Sequence, residues 1–187
     1  MKKIDFKRTL KELYNPPRKP VIVDVPSMNF LMIDGQGDPV TSKEYQEALE
    51  ALYAVAYGVK FQLKKAGIID YTVPPLEGLW WADNMEEWSM DHREDWKWTM
   101  MIMQPEQVTQ EHVDQIIGTV RRKKDLQMLS KMRFKPYNEG LSVQILYIGP
   151  YHEEGPTIKI LHQFALDKGY ELHRKHHEIY LGDPRRT

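Results

Sequence analysis

Residues 176–184 of the sequence, HHEIYLGDP, place the carboxylate of Glu178 inside an aromatic and apolar run. Side chains alternate between the two faces of a strand, so Glu178 and Tyr180 share one face and Ile179 lies on the other. A carboxylate among aromatic rings loses hydration and becomes a better base, which can take a proton from water. The run therefore predicts a general base. A surface carboxylate at a strand edge, paired with Arg174 or Lys175, explains this pattern equally well.

Several aromatic residues are candidates for the walls of a site that binds a flat, apolar ligand. Trp80 and Trp81 are adjacent, so on a strand they point to opposite faces and one of them is left for the open face. Tyr147 precedes a glycine turn, and its hydroxyl needs a partner if it is buried. For any single tryptophan, a place in the core is the commoner outcome. The candidate ligand-binding residues are Trp80, Trp81, Trp98, Tyr180 and Glu77.

The histidines around Glu178 could also suggest a metal site. His176 and His177 point to opposite faces of a strand, however, so their nitrogen atoms do not converge on one ion. The segment also lacks the second histidine of a helical H-E-x-x-H motif. The run GQGDPV departs from the dinucleotide fingerprint, because Val40 stands where a third glycine or alanine belongs. We therefore expect no metal, nucleotide or other cofactor.

The composition of the 187-residue chain is that of an ordinary globular domain, with 41% hydrophobic and 28% charged residues. A formal net charge of −1 gives no electrostatic attraction to nucleic acid or to an anionic membrane. The lack of cysteine excludes disulfides, thiolate metal sites and cysteine nucleophiles. The sequence has neither a signal peptide nor an apolar stretch of about 18 residues, so a cytoplasmic protein is expected.

Two segments of the chain repeat the same order of elements. Residues 21–104 predict a strand, a glycine turn, a helix that ends at a glycine, and further strands. Residues 132–187 predict the same series, ending in a hairpin or one long strand. Each repeat has a glutamate at a corresponding place: Glu77 follows the helix-ending glycine by ten residues and Glu178 by nine. The pattern indicates a two-fold internal repeat with one carboxylate in each copy.

These elements predict an α+β fold made of two β-α-β-β units. The units would join into an antiparallel sheet with their helices on one face and a shared ligand cleft on the other. An additional amphipathic helix, at about residues 108–131, would be inserted between the units. Residues 1–20 would form a lead-in to a single domain at residues 21–187. If Ile179 faces the helices, Glu178 faces the cleft.

Five sequence runs carry a resemblance to a known family: FLMIDGQGDP, EYQEALEALYAVAYGVKF, PLEGLWW, EGLSVQILYIGPY and HHEIYLGDPRRT. Together they resemble stand-alone members of the GyrI-like small-molecule-binding family, over about Pro20 to Thr187. The resemblance implies a pseudo-two-fold pair of β-α-β-β units with a ligand cleft between them. Some stand-alone members hydrolyse the strained cyclopropane of DNA-alkylating natural products. The ligand-facing glutamate of the family lies in the E-I-Y-L strand, which places it at Glu178.

Three functions remain open on these grounds. A hydrolase would bind a hydrophobic aromatic xenobiotic and detoxify it, with Glu178 as the base and Tyr147 donating a hydrogen bond to the oxygen that gains charge. A multidrug-binding protein would only sequester or sense such molecules. A macromolecule-docking protein would bind a target such as DNA gyrase, for which the sequence singles out no surface patch. We expect a small aromatic ligand, without nucleic acid or membrane as partners, in one pocket containing Glu178, Tyr147 and at least one of the three tryptophans.

Overall fold

The computed structural model contains α-helices and antiparallel strands, and it describes residues 2–83, 93–173 and 175–182. The helices are Phe6–Thr9 (α1), Lys11–Tyr14 (α2), Lys43–Lys65 (α3), Gln110–Arg121 (α4) and Gly155–Asp167 (α5). The strands are Val21–Val25 (β1), Met28–Gln36 (β2), Leu76–Trp81 (β3), Lys97–Gln104 (β4), Arg133–Tyr137 (β5), Gly140–Gln144 (β6) and His176–Tyr180 (β7). None of the helices in these residues is long and apolar enough to cross a membrane.

The strands form two antiparallel sheets. The larger sheet has the order β5-β2-β4-β3-β7, and β1 pairs with β6 in a separate two-stranded sheet. The predicted α+β class with antiparallel strands is confirmed. The first long β run of the sequence divides between the two sheets at Pro26, since proline has no N–H to donate to a ladder.

Helix α3 packs its apolar stripe on one face of the larger sheet. Residues 41–44, TSKE, have the capping-box pattern that predicts Thr41 as the cap. The helix is instead capped one residue later by the Ser42 hydroxyl, which accepts from the Tyr45 amide. Gly67 follows the last turn of the helix and terminates it with a φ of 70°, which favours glycine. Its inner side chains contribute about 1.5–3 kcal/mol for each large apolar group removed from water. Those that are completely buried are Ala48, Ala51, Leu52, Val55, Ala56, Val59 and Leu63.

The lead-in predicted for residues 1–20 packs on the opposite face of the same sheet. Phe6 and Leu10 cover an apolar cluster on this face, and Leu13 and Tyr14 are buried. The side-chain amide of Gln144 donates to the Leu13 carbonyl at 2.8 Å, which ties the segment to β6. The N-terminal segment is therefore part of the packed structure and covers the face that lies away from α3.

Strand β7 is the edge strand next to β3 and is short. The sequence predicted a hairpin or one long strand after α5, whereas residues 170–173 belong to no strand and β7 has five residues. The predicted inserted helix is present as α4, followed by a 3-10 turn at Gln127–Lys131. The pairing of β7 with β3 brings the two glutamate-bearing segments side by side, which places the candidate site at this edge of the sheet.

Candidate functional site

The two candidate carboxylates lie on opposite faces of the paired strands β3 and β7. Gly78 pairs with Glu178 and Leu76 pairs with Tyr180, and directly paired residues share a face. Tyr180 belongs to the core beneath α3, so Glu178 also lies on the helix-covered side. This corrects the expectation that Ile179 faces the helices. The predicted alternation along the strand is correct, but the pairing of Tyr180 with Leu76 places Glu178, and not Ile179, on the face covered by helices.

Glu178 is held by a short series of hydrogen bonds from β3 to β7. The indole N–H of Trp80 donates to the Tyr180 hydroxyl oxygen at 3.0 Å, and this hydroxyl donates to Glu178 Oε2 at 2.5 Å. The other carboxylate oxygen, Oε1, lies 3.5 Å from His176 Nε2. Burial and the charge of Glu178 raise the pKa of Tyr180, so its hydroxyl keeps its proton and remains a donor. The carboxylate is thus fixed at one oxygen, and its side chain is 19% exposed.

The lack of a side chain at Gly78 makes room for this arrangement. A Cβ atom at this position would lie 2.8 Å from Trp80 Nε1 and 3.2 Å from both the Tyr180 hydroxyl and Met100 Sδ. We expect Gly78→Ala to push Tyr180 away from Glu178 and to lower the free energy of unfolding by about 1–3 kcal/mol. Urea denaturation would measure the loss.

Gly155→Ala is the matched control for this variant, because a Cβ atom there meets no other atom within 4 Å. Gly155 lies in the first turn of α5, where alanine is a better helix former than glycine. The control should unfold at the same or slightly higher urea concentration. Equal stability of the two variants would contradict the tight packing proposed for Gly78.

Glu77 belongs to a second, more deeply buried network on the opposite face. Its side chain accepts from the Tyr14 hydroxyl at 2.7 Å and from His177 Nε2 at 3.0 Å, and the residue is only 1% exposed. The other ring nitrogen of His177, Nδ1, lies 2.7 Å from Glu139 Oε2. Burial alone would lower the pKa of His177, but the hydrogen bonds and charges of Glu139 and Glu77 raise it to about 10. His177 is therefore an imidazolium at neutral pH and donates to both carboxylates.

A pocket of about 630 Å³ reaches both networks around the edge of β7. Its walls come from the N-terminal segment, from strands β1, β2, β3, β5, β6 and β7, from the loop after β6 and from α5. Most of its lining side chains are apolar. The described lining residues include no lysine or arginine. Four carboxylates belong to the lining, those of Glu77, Glu139, Glu154 and Glu178. The pocket thus combines apolar walls with an excess of negative charge.

Four of the sequence-predicted site residues lie together on this pocket: Glu77, Tyr147, Glu178 and Tyr180. Tyr147 is half-buried, and its hydroxyl donates to the Pro150 carbonyl at 2.8 Å. The phenol therefore closes a tight turn at the pocket wall. Its hydroxyl does not reach Glu178 by any hydrogen bond described here.

The three tryptophans do not line the pocket in the described structure, which corrects the expectation for Trp80, Trp81 and Trp98. Trp98 is completely buried beneath α3, with the Tyr45 ring edge-on at 5.3 Å between centroids. Trp80 is also in the core and acts on the site through its hydrogen bond to the Tyr180 hydroxyl. Trp81 faces the opposite side, where the Lys175 ammonium lies 3.1 Å from its ring centroid.

Three lining residues that form the network around Glu77 were not among the predicted site residues: Tyr14, Glu139 and His177. Tyr14 lies in the segment that was set apart as a lead-in. His177 was set aside because it points away from Glu178, and it is this opposite direction that brings it to Glu77. Within the described residues, no group of three or more potential ligands is arranged to hold a metal ion.

Comparisons with known proteins agree with this architecture. The GyrI-like small-molecule-binding domain matches residues 18–187 of the chain. The chain belongs to the GyrI-like family. As a GyrI-like protein, it carries its pocket within the matched domain, but it also uses Leu13, Tyr14 and Pro16, which precede the matched residues, as part of the wall. No curated protein matches the chain significantly.

Solved structures of other proteins are similar over nearly the whole chain. An uncharacterised conserved protein from Listeria innocua is 42% identical, with a TM-score of 0.90, and the match covers 99% of this chain and 93% of that one. A Listeria innocua hydrolase is 41% identical, with a TM-score of 0.90, and the match covers 100% of this GyrI-like chain and 93% of that chain. Another structure of a hydrolase from the same organism is 41% identical, with a TM-score of 0.85 and coverage of 99% and 93%.

Proposed function

We propose that this GyrI-like protein binds a hydrophobic aromatic molecule in its pocket and hydrolyses it, with Glu178 as the general base. One observation carries the proposal: Glu178 lines the pocket while the Tyr180 hydroxyl holds its Oε2 atom at 2.5 Å. The Oε1 atom, which lies 3.5 Å from His176 Nε2, is then the one to accept a proton from a water molecule. The similarity to two structures of hydrolases supports a hydrolytic rather than a purely binding role.

The proposed substrate is a xenobiotic that carries a strained cyclopropane conjugated to a dienone. Glu178 takes a proton from water, the water oxygen bonds to the exposed ring carbon, and a carbon–carbon bond of the ring breaks. The electron pair of that bond moves to the dienone oxygen, which becomes a phenolate and takes up a proton from solvent. Glu178 returns its own proton to solvent, so the net change is the addition of one water molecule. Opening the ring removes the electrophile and thus detoxifies the molecule.

Tyr147 is the proposed donor to the oxygen that becomes the phenolate. To reach this oxygen, its hydroxyl has to leave the Pro150 carbonyl, which requires rotation of the side chain but no change of the fold. A hydrogen bond that forms only as charge develops stabilises the transition state more than the ground state. The aromatic and apolar walls would hold the flat substrate; they include Phe30, Tyr137, Tyr151, Ile158 and Leu161.

A second candidate function is the binding of cationic drugs without chemistry. The observation that favours it is the set of four carboxylates in a pocket whose described lining has no lysine or arginine. A positively charged ligand would find complementary charge in such a pocket. In this function Glu178 would be a counter-charge and would have no need to exchange protons.

Incubation with a panel of cyclopropane-bearing dienones, followed by mass spectrometry, tests the proposed hydrolysis. We expect a product heavier than the substrate by one water, formed over many turnovers per protein molecule. Fluorescent dyes, neutral and cationic, test binding in parallel. Dye binding without any ring-opened product would support the binding of cationic drugs and contradict the proposed hydrolysis.

Nucleotides provide a test of ligand specificity. Because the described lining offers no lysine or arginine to phosphate, and the His177 imidazolium already donates to Glu77 and Glu139, ATP should not displace a bound aromatic dye. The measurement is a fluorescence competition titration at low and moderate salt. Displacement of the dye by ATP at concentrations similar to those of an aromatic competitor would contradict the proposed specificity.

A further inference from the structure

Three aromatic side chains of α3, those of Tyr53, Tyr57 and Phe61, form an aromatic ladder along the helix, outside the described lining of the pocket. Tyr53, Tyr57 and Phe61 follow each other at intervals of four residues, and both pairs of successive rings have centroids 6.3 Å apart. Tyr57 is 46% exposed and Phe61 is 57% exposed. The Lys60 ammonium lies 4.7 Å from the centroid of the Phe61 ring. Two large rings are thus ordered side by side at the surface of the longest described helix.

Packing within the monomer accounts for Tyr53, which lies against the core, but not for the exposed rings of Tyr57 and Phe61. The opposite side of α3 already supplies the buried stripe, in which Leu52, Val55 and Val59 are completely buried. The described lining of the pocket includes no α3 residue. Contacts between rings four residues apart stabilise a helix by only about 0.2–0.5 kcal/mol per pair. A continuous apolar surface of this kind is typical of a contact with another molecule.

The charged residues at the two ends of the aromatic ladder indicate what kind of molecule contacts it. Glu50 lies seven residues before Tyr57, and Lys64 lies seven residues after it, on the same side of the helix. If two copies of α3 pack antiparallel with Tyr57 at their crossing point, Glu50 of each copy lies opposite Lys64 of the other. Tyr53 of each copy then lies opposite Phe61 of the other. The surface is therefore complementary to itself, as a two-fold symmetric interface requires.

We propose that this protein forms a two-fold symmetric dimer through the exposed ladder of α3, with Tyr57 on the symmetry axis. Glu50 and Lys64 now contact Lys124 and Asp70 of their own chain, each at 2.8 Å. Glu50 and Lys124 are about half exposed, so this pair can exchange partners at little cost. The side chain of Asp70 is only 10% exposed, so Lys64 has to keep this contact while its ammonium, which has three donors, also meets Glu50 of the other copy. From Glu50 to Lys64 the helix extends roughly 21 Å. An interface of that length belongs to the small class, so the dimer should depend on protein concentration.

Sedimentation velocity of the full chain, from about 1 μM to about 1 mM, tests the dimer. The wild type should pass from monomer to dimer within this range. Glu50→Lys and Lys64→Glu each place like charges opposite each other twice, and each should weaken the dimer about tenfold or more. The double variant restores opposite charges and should recover most of the association. High salt should weaken the wild-type dimer, because its charge pairs are exposed.

Ile160→Glu on α5 is the control, since Ile160 is 56% exposed and lies outside the ladder. This variant should dimerise like the wild type. Circular dichroism of every variant checks that α3 remains folded. A wild type that stays monomeric throughout the range overturns the proposal. So do charge variants that associate like the wild type, or a double variant that is no better than the single ones.

Discussion

Glu178→Gln should lower the rate of cyclopropane opening by about 10²–10⁴, the usual effect of removing a general base. Glutamine keeps the shape of the side chain and can still accept from the Tyr180 hydroxyl, which now donates to Glu178 Oε2 at 2.5 Å. It cannot take a proton from water. A neutral aromatic substrate should therefore bind as before, so the loss should appear in kcat rather than in KM. Stopped-time assays by mass spectrometry, over a range of substrate concentrations, would separate the two constants.

The same variant separates the hydrolase from a binder of cations. If Glu178 is only a counter-charge, Glu178→Gln should weaken the binding of cationic dyes and leave the affinity for neutral ligands unchanged. Tyr180→Phe keeps the carboxylate but removes the hydroxyl that orients it, and should reduce the rate by a smaller factor, roughly tenfold. Glu106→Gln, at an exposed position outside the pocket lining described here, is the control and should keep the wild-type rate. A Glu178→Gln variant with the wild-type rate would contradict the role of Glu178 as base.

The helices could be predicted from sequence because their signals are local. Helix α3 has its cap, apolar stripe and terminating glycine within one continuous segment, and only the capping residue moved, from Thr41 to Ser42. The alternation in HHEIYL likewise fixed which residues of β7 share a face. It could not fix which face is covered by helices, because that depends on the pairing of Tyr180 with Leu76, a residue about one hundred positions earlier.

The candidate site was only partly predictable for the same reason. Adjacent tryptophans had to face opposite sides, but the register of β3 and β4 places Trp80 and Trp98 beneath α3 rather than on the pocket. The buried network needed three distant segments to meet, since Tyr14, Glu77 and His177 are far apart in sequence. No local pattern shows that the lead-in folds back over the sheet. Glu77 and Glu178 were identified from the sequence, whereas their partners depend on the fold.

His177→Ala should be among the most destabilising single substitutions in the described structure. It removes the imidazolium that separates Glu77 from Glu139 and leaves two carboxylates near each other, one of them only 1% exposed. Removing one partner from a buried ionic network costs about 3–5 kcal/mol. Urea denaturation at neutral pH measures this loss. A variant in which Glu77 and Glu139 are also replaced by glutamine should recover part of it, because the unpaired charges are then gone.

The pH dependence of stability distinguishes this charge effect from a loss of packing. The pKa of His177 is raised to about 10 in the folded protein, above its ordinary value of 6.5, so the folded state holds the proton more tightly than the unfolded chain. The stabilisation is then complete below about pH 6.5 and is lost as the pH rises through about 10. His177→Gln has no such proton. The difference in unfolding free energy between wild type and His177→Gln should therefore shrink steadily from pH 6.5 to pH 10, while titrations common to both proteins cancel. A difference that stays constant over this range would mean that His177 contributes by packing and hydrogen bonding alone.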